Sequence, residues 1–161
     1  MMEFSSCECL TCQGACSEKP GWFVPEQVPL LLKYWMVNDL EELLVDYTTN
    51  YEKANKLAID WWNADGSMIL ILAPNIKGNY NIQYPADPRG ECVFHREDGK
   101  CDIYPIRPYE CGKYHHNNVQ ETISKRHFDI SRLWAASNIL EKFEDRVEQK
   151  SFSLIDMIGR F

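Results

Sequence analysis

The sequence predicts an α+β fold: a helical body, a small antiparallel sheet and a cysteine-rich loop layer. Three observations carry this expectation. Apolar residues recur at helical spacing in two stretches, Val28 to Trp35 and Ile130 to Phe143. Short apolar and alternating runs between Ser67 and Tyr84 read as strands. Seven cysteines fall into two distant groups, at positions 7, 9, 12 and 16 and at 92, 101 and 111, among residues that favour loops.

Residues 1–24 read as a cysteine-bearing loop that contains Gly14, Pro20 and Gly21. Pro25-Glu26 suits a first helical turn, and Val28, Leu31, Leu32 and Trp35 mark its buried face. Pro29 falls early enough to be tolerated or to reset the helix start. Asn38-Asp39, followed by Glu41 and Glu42, predicts a break and a new N-cap. A third helical stretch is expected over Glu52–Asn63. Ser67–Ala73 follows as a short apolar strand stopped by Pro74 and Asn75. Its expected partner is a half-exposed strand through Tyr80, Ile82 and Tyr84, joined by a turn at Gly78-Asn79. Residues 85–116 should be loops with a short hairpin. Ile130, Leu133, Trp134, Ser137, Leu140 and Phe143 trace one face of a long amphipathic helix. The apolar tail from Phe152 to Phe161 is expected to dock on the core.

A chain of 161 residues with 45% hydrophobic and 12% aromatic residues has material for a true core. At this length about 70% of the unfolded surface is buried on folding, and a single domain over residues 1–161 is expected. The net charge of −7 opposes nonspecific attraction to nucleic acid or an anionic membrane. A protein or a small molecule is the expected partner. The N-terminus lacks a basic stretch followed by an apolar run, and the longest apolar runs fall short of a membrane span. The cytoplasm is the expected compartment, where thiols stay reduced, so this cysteine pattern points to metal binding or redox chemistry before structural disulfides.

The first box reads Cys7-Glu8-Cys9-Leu10-Thr11-Cys12-Gln13-Gly14-Ala15-Cys16. A Cys-x2-Cys pair sets two thiolates on one tight turn, suited to one metal centre, and Gly14 frees the backbone to wrap around it. The second box runs from Cys92 through Cys101 to Cys111. Asp98-Gly99 is a strong tight-turn signal that would fold the segments bearing Cys92 and Cys101 onto each other. Pro105 and Pro108 stiffen the approach to Cys111. A pocket of thiolates repels itself unless a cation neutralises it.

These two boxes resemble the YkgJ-type cysteine-cluster family, also described as zinc- or iron-chelating domains. That family pairs a CxxCxxCC box with a distant C…GxCxIYxxRPxxC box. Here the second pattern is met by Cys92, then Gly99-Lys100-Cys101-Asp102-Ile103-Tyr104-Pro105-Ile106-Arg107-Pro108-Tyr109-Glu110-Cys111. The first is met by Cys9, Cys12 and Cys16 but departs from the family at Ala15, where a cysteine is expected. The resemblance implies a bound metal held by Cys9, Cys12, Cys16, Cys92, Cys101 and Cys111, often an iron–sulfur cluster, with [4Fe–4S] the expected type and zinc the alternative. It extends to the metal domain of flagellin lysine methylases, which are associated with an iron–sulfur cluster and S-adenosylmethionine.

Cys7, His115 and His116 are further candidate ligands. Arg107 is expected to hydrogen-bond sulfurs or neighbouring carbonyls of the centre, with a salt bridge to Glu110 or Asp102 as the plainer alternative, and Tyr104 to pack beside it. His95 reads as a loop histidine without metal, and His127 as structural. Trp61, Trp62 and Trp134 are expected in the core. No nucleotide-binding glycine motif, P-loop or HExxH motif is present. The sequence thus supports an iron–sulfur protein for redox or metal-centred chemistry, or a structural, sensing or carrier site for zinc or iron. Methyl transfer from S-adenosylmethionine is a weaker third reading.

Overall fold

A computed structural model describes residues 17–44, 56–64, 66–78, 90–113 and 119–144. Helices and one small antiparallel sheet share this part of the chain, an α+β arrangement. A 3-10 turn, Pro25–Gln27, leads directly into helix α1, Val28–Tyr34, so Pro29 sits in the first turn, where no intrahelical N–H is required of it. Val28 and Leu31 face the core, and the helix ends as Met36 adopts φ +54° with its side chain 86% exposed. The break expected near Asn38 is a 3-10 turn, Leu40–Glu42. Asp39 caps it by accepting from the Glu41 N–H, while the Glu42 carboxylate accepts from the Asp39 N–H.

The expected helix over Glu52–Asn63 is not formed in its described part. Leu57–Ala64 is strand β1, paired antiparallel with β2, Ser67–Pro74, in a register running from Leu57↔Pro74 to Ala64↔Ser67. Two residues, Asp65 and Gly66, separate the strands, and Gly66 has φ +84°. That is the two-residue hairpin signature, and it outweighs helical spacing in a segment rich in Ile and Trp. Leu57, Ala58, Ile59 and Asp60 are all buried, so the base of the hairpin is covered on both faces. Its tip is exposed, and Trp61, expected in the core, is 39% exposed there. The strand expected through Tyr80, Ile82 and Tyr84 lies outside the described residues.

Trp22, Phe23 and Val24 run along the hairpin. The Phe23 N–H donates to the Leu72 carbonyl at 2.9 Å, adding backbone to the open side of β2. Helix α2, Tyr109–Lys113, carries the end of the second cysteine box, and helix α3, Val119–Ala135, packs across β2. Trp134 is buried and its Nε1–H donates to the Phe23 carbonyl at 2.7 Å. The helical face expected to continue to Phe143 stops at Ala135. Ser137 Oγ accepts from the Ile139 N–H, a local bond that competes with the helix, and Leu140 and Phe143 reach the core from a 3-10 turn, Glu141–Phe143. Leu133, assigned to the buried face, is 46% exposed. The core joins Phe23, Leu31, Leu43, Leu57, Ile59, Leu72, Ile130 and Phe143. Residues 152–161, the expected docking tail, lie outside the described residues.

The hairpin assignment is checked at its turn. Gly66→Ala should lower stability by about 1 kcal/mol, because the left-handed conformation penalises a Cβ. Gly66→Asn, which tolerates that conformation, should cost less. Urea unfolding would register both as shifts in midpoint at constant slope.

Candidate metal centre

The second cysteine box is built outward from the end of β2. Ile76 pairs with Cys92, flanked by Val93 N–H to the Asn75 carbonyl at 2.8 Å and Lys77 N–H to the Glu91 carbonyl at 2.9 Å. The chain then turns, with the His95 N–H donating to the Cys92 carbonyl at 3.0 Å. His95 and Cys101 pair antiparallel across a tight loop in which Gly99 takes φ +84° and Asp98 accepts from the Lys100 N–H. The Asp98-Gly99 turn thereby brings the segment after Cys92 back alongside Cys101. A 3-10 turn, Tyr104–Ile106, and Pro108 lead into α2 and Cys111. Gln27 clasps this approach: its Nε2 donates to the Arg107 carbonyl at 2.9 Å and its Oε1 accepts from the Tyr109 N–H at 2.9 Å.

The segment that leaves the first box lies against the second. The Glu18 carbonyl accepts from the Gly90 N–H at 2.7 Å, two residues before Cys92. Gly21 backs directly onto Cys111: a Cβ on Gly21 would stand 2.6 Å from Cys111 Sγ and 3.3 Å from the Cys111 nitrogen. Trp22 and Glu110 then bond reciprocally. The Glu110 N–H donates to the Trp22 carbonyl at 3.1 Å, and the Trp22 N–H donates to Glu110 Oε1 at 2.9 Å.

Glu110 is buried, and its other carboxylate oxygen meets His127 Nε2 at 2.5 Å and Arg126 Nε at 3.6 Å. The His127 ring lies on the Trp22 indole, with ring centroids 4.2 Å apart. Burial pushes the Glu110 carboxyl up, but the bond and charge of His127, the Trp22 N–H and Arg126 together hold it below the ordinary glutamate range. On the far edge of Trp22, Nε1–H donates to Asp60 Oδ2 at 2.7 Å, with Lys19 Nζ 3.4 Å from the same oxygen. Burial dominates at Asp60 and raises its carboxyl above the ordinary aspartate range.

Of the residues singled out from sequence, Cys7, Cys9, Cys12, Cys16, His115 and His116 lie outside the described residues. Cys92 is buried, and Cys101 and Cys111 are half-buried. Arg107 stacks on the Tyr104 ring, its Cζ 4.1 Å from the centroid, and its Nη1 donates to the Tyr104 carbonyl at 2.9 Å. Glu110 pairs with His127 and Arg126, and Asp102 stands 3.8 Å from Arg96. Three buried polar atoms of this box, His95 Nε2, Tyr104 Oη and Arg107 Nε, have no hydrogen-bond partner among the described residues. No three His, Cys, Asp or Glu side chains among the described residues already form a metal-holding group. The donor chemistry fits one: thiols on a tight loop and a short helix, beside buried donors left unpaired, suit a soft or borderline metal.

Sequence reasoning missed Gly21, Gln27 and Glu110 as builders of the site. Glu110 entered only as a plain partner for Arg107. Its place between two ends of the chain depends on a contact across 88 residues, which no local pattern signals.

A family model for the CxxCxxCC domain, described as a putative zinc- or iron-chelating domain, matches residues 8–129. The match takes in every cysteine of both boxes except Cys7 and continues through Arg126 and His127, the partners of Glu110. No curated protein and no solved structure matches the chain.

Two outcomes follow from this geometry. Gly21→Ala should displace the Cys111 thiol, so bound metal should fall by more than half while thermal stability of the metal-free protein changes little; metal analysis beside a melting curve reads both. Glu110→Gln should cost about 1.5–3 kcal/mol at neutral pH, the range for a lost charged hydrogen bond. Because the folded carboxyl is held low, the stability it adds is complete above the unfolded glutamate value of about 4.3 and is lost as pH falls through the folded value. The gap between wild type and Glu110→Gln should therefore close on acidification, measured by denaturant unfolding of matched metal-free samples.

Proposed function

Since the chain belongs to the CxxCxxCC family of zinc- or iron-chelating domains, we propose that its metal is an iron–sulfur cluster of the [4Fe–4S] type, held by thiolates of both cysteine boxes. The observation that supports this most is the seating of the first box's exit on the second. Glu18, two residues past Cys16, is bonded to Gly90, two residues before Cys92, and Gly21 abuts Cys111. Consecutive Cα atoms are about 3.8 Å apart, so Cys16 cannot stray more than about 8 Å from Glu18. This tether of the first box's exit beside Cys92 and Cys111 supports a centre shared by the two boxes.

Six thiolates exceed the needs of one tetrahedral mononuclear site, which favours a polynuclear centre. Once bound, such a cluster supplies one-electron redox or metal-centred chemistry. Arg107 Nε and Tyr104 Oη, buried without partners among the described residues, are suited to donate hydrogen bonds towards its sulfurs. The chain acts as one unit over residues 1–161, in the cytoplasm, on a protein or small-molecule partner. Its charge of −7 disfavours nucleic acid and anionic lipid. Among the described residues no helix is long and apolar enough to cross a membrane.

Protein purified without oxygen should be brown and contain iron with acid-labile sulfide. A colourless anaerobic preparation with stoichiometric zinc and no sulfide would replace this reading with a structural or carrier zinc site. Oxygen must be excluded, because zinc enters a thiolate site that has lost its cluster.

A further inference from the structure

We propose that His95 is a nitrogen ligand of the metal centre, binding through Nε2 while Glu91 holds the ring from Nδ1. The proposal rests on the reading that the second cysteine box carries metal, and it reverses the expectation that His95 is a bystander. His95 and Cys101 are directly opposed in an antiparallel bridge. The flanking bonds run from Arg96 N–H to the Lys100 carbonyl at 2.8 Å and from Asp102 N–H to the Phe94 carbonyl at 2.9 Å. With the bonds on either side, the pair itself is of the non-hydrogen-bonded kind. Its Cα atoms are then about 4.5 Å apart and its side chains leave the same face, with Cβ atoms about 4.5–5.5 Å apart. Cys92 enters from the other direction, through the turn that its carbonyl closes with the His95 N–H. His95 is therefore set opposite Cys101 and bonded through its backbone to Cys92, although the three side chains do not already form a metal-holding group.

The ring is set as a ligand ring is set. Nδ1 lies 2.7 Å from Glu91 Oε2, and the side chain is only 11% exposed. Lys77 Nζ lies 3.1 Å from the same carboxylate oxygen and 2.6 Å from the His95 carbonyl, which ties carboxylate and backbone together. An imidazole that donates Nδ1–H to a carboxylate presents its lone pair at Nε2, and this carboxylate–histidine arrangement orients and strengthens metal-binding histidines. Here Nε2 is buried without a hydrogen-bond partner among the described residues. Cys92-x2-His95 has the same short spacing that serves paired ligands elsewhere. His127, the other described histidine, commits its Nε2 to Glu110. Zinc and iron both accept mixed sulfur and nitrogen donors, so the assignment holds for either metal.

The test uses the full chain, purified without oxygen and labelled with 15N-histidine, with metal content measured first. Zinc-loaded protein should show, by X-ray absorption at the zinc edge, a nitrogen shell at about 2.0 Å beside sulfur at about 2.3 Å. Iron-loaded protein, once reduced, should show strong 15N hyperfine coupling by pulsed EPR. His95→Cys, which offers a thiolate in place of the imidazole, should keep its metal and lose the nitrogen signal, and Glu91→Gln should weaken or shift it. A metal-loaded wild type with sulfur ligands alone would overturn the His95 assignment and leave the cysteine centre standing. So would a nitrogen signal that survives unchanged in His95→Cys. Protein that binds no metal at all would overturn both this proposal and the reading on which it rests.

Discussion

Most of the described structure is held to one reciprocal contact, the pairing of Trp22 with Glu110. A buried carboxylate is tolerable only when every lone pair is engaged and opposite charge is near. Glu110 meets that condition by reaching two parts of the chain at once. One oxygen takes the Trp22 N–H and the other takes His127 and Arg126 from α3. The adjoining residues extend the grip: Phe23 bonds β2 through its N–H and Trp134 through its carbonyl, and Trp22 reaches Asp60 on β1. Sheet, long helix and cysteine box are thus joined through a stretch of backbone only two residues long. Removing either partner would strand the other in a dry interior, which explains why a charged residue sits beside a candidate thiolate ligand.

The two carboxylates around Trp22 are balanced in opposite senses. Asp60 is held above its ordinary range because burial outweighs Lys19 and the indole N–H, whereas Glu110 is held below its own because partners outweigh burial. Each carboxylate has three partners and both side chains are almost wholly enclosed, so the difference follows from charge: Lys19 alone stands by Asp60, His127 and Arg126 by Glu110. The carboxyl beside Cys111 is thus the one whose ionised form is favoured, with Arg126 and His127 against it. A thiolate there experiences a neutralised neighbour rather than a bare anion.

Local chemistry was legible in the sequence wherever it decided the outcome. Pro29 set the start of α1, Asp39 capped the next turn, and Ser67–Ala73 formed its strand within one residue of the expected end. The errors arose where a local pattern admitted two periods. Ala58, Trp61 and Trp62 stand at helical spacing while Leu57, Ile59 and Trp61 alternate as in a strand, and the Asp65-Gly66 turn decides between them. Ser137 fell on a helical face by spacing, yet its hydroxyl offered the backbone a better partner. In the site, the second box was legible from its cysteine and proline spacing because its turn is local. Gly21, Gln27 and Glu110 were not, because their importance arises only when distant segments meet.

The contrast in span between the two halves of the site bears on how it assembles. The loop joining His95 to Cys101 closes over a few residues, a rapid event that costs little chain entropy. The bond from Glu18 to Gly90 and the pairing of Trp22 with Glu110 instead bring together segments separated by about half of the chain. Closing contacts of such separation costs more chain entropy than closing the local loop. The second box would then exist as a preformed half-cradle during folding, exposed to any thiophilic ion, until the amino-terminal segment closes over it. Trp22 and Glu110 thus act as a latch that joins the two parts of the site only once both segments have met.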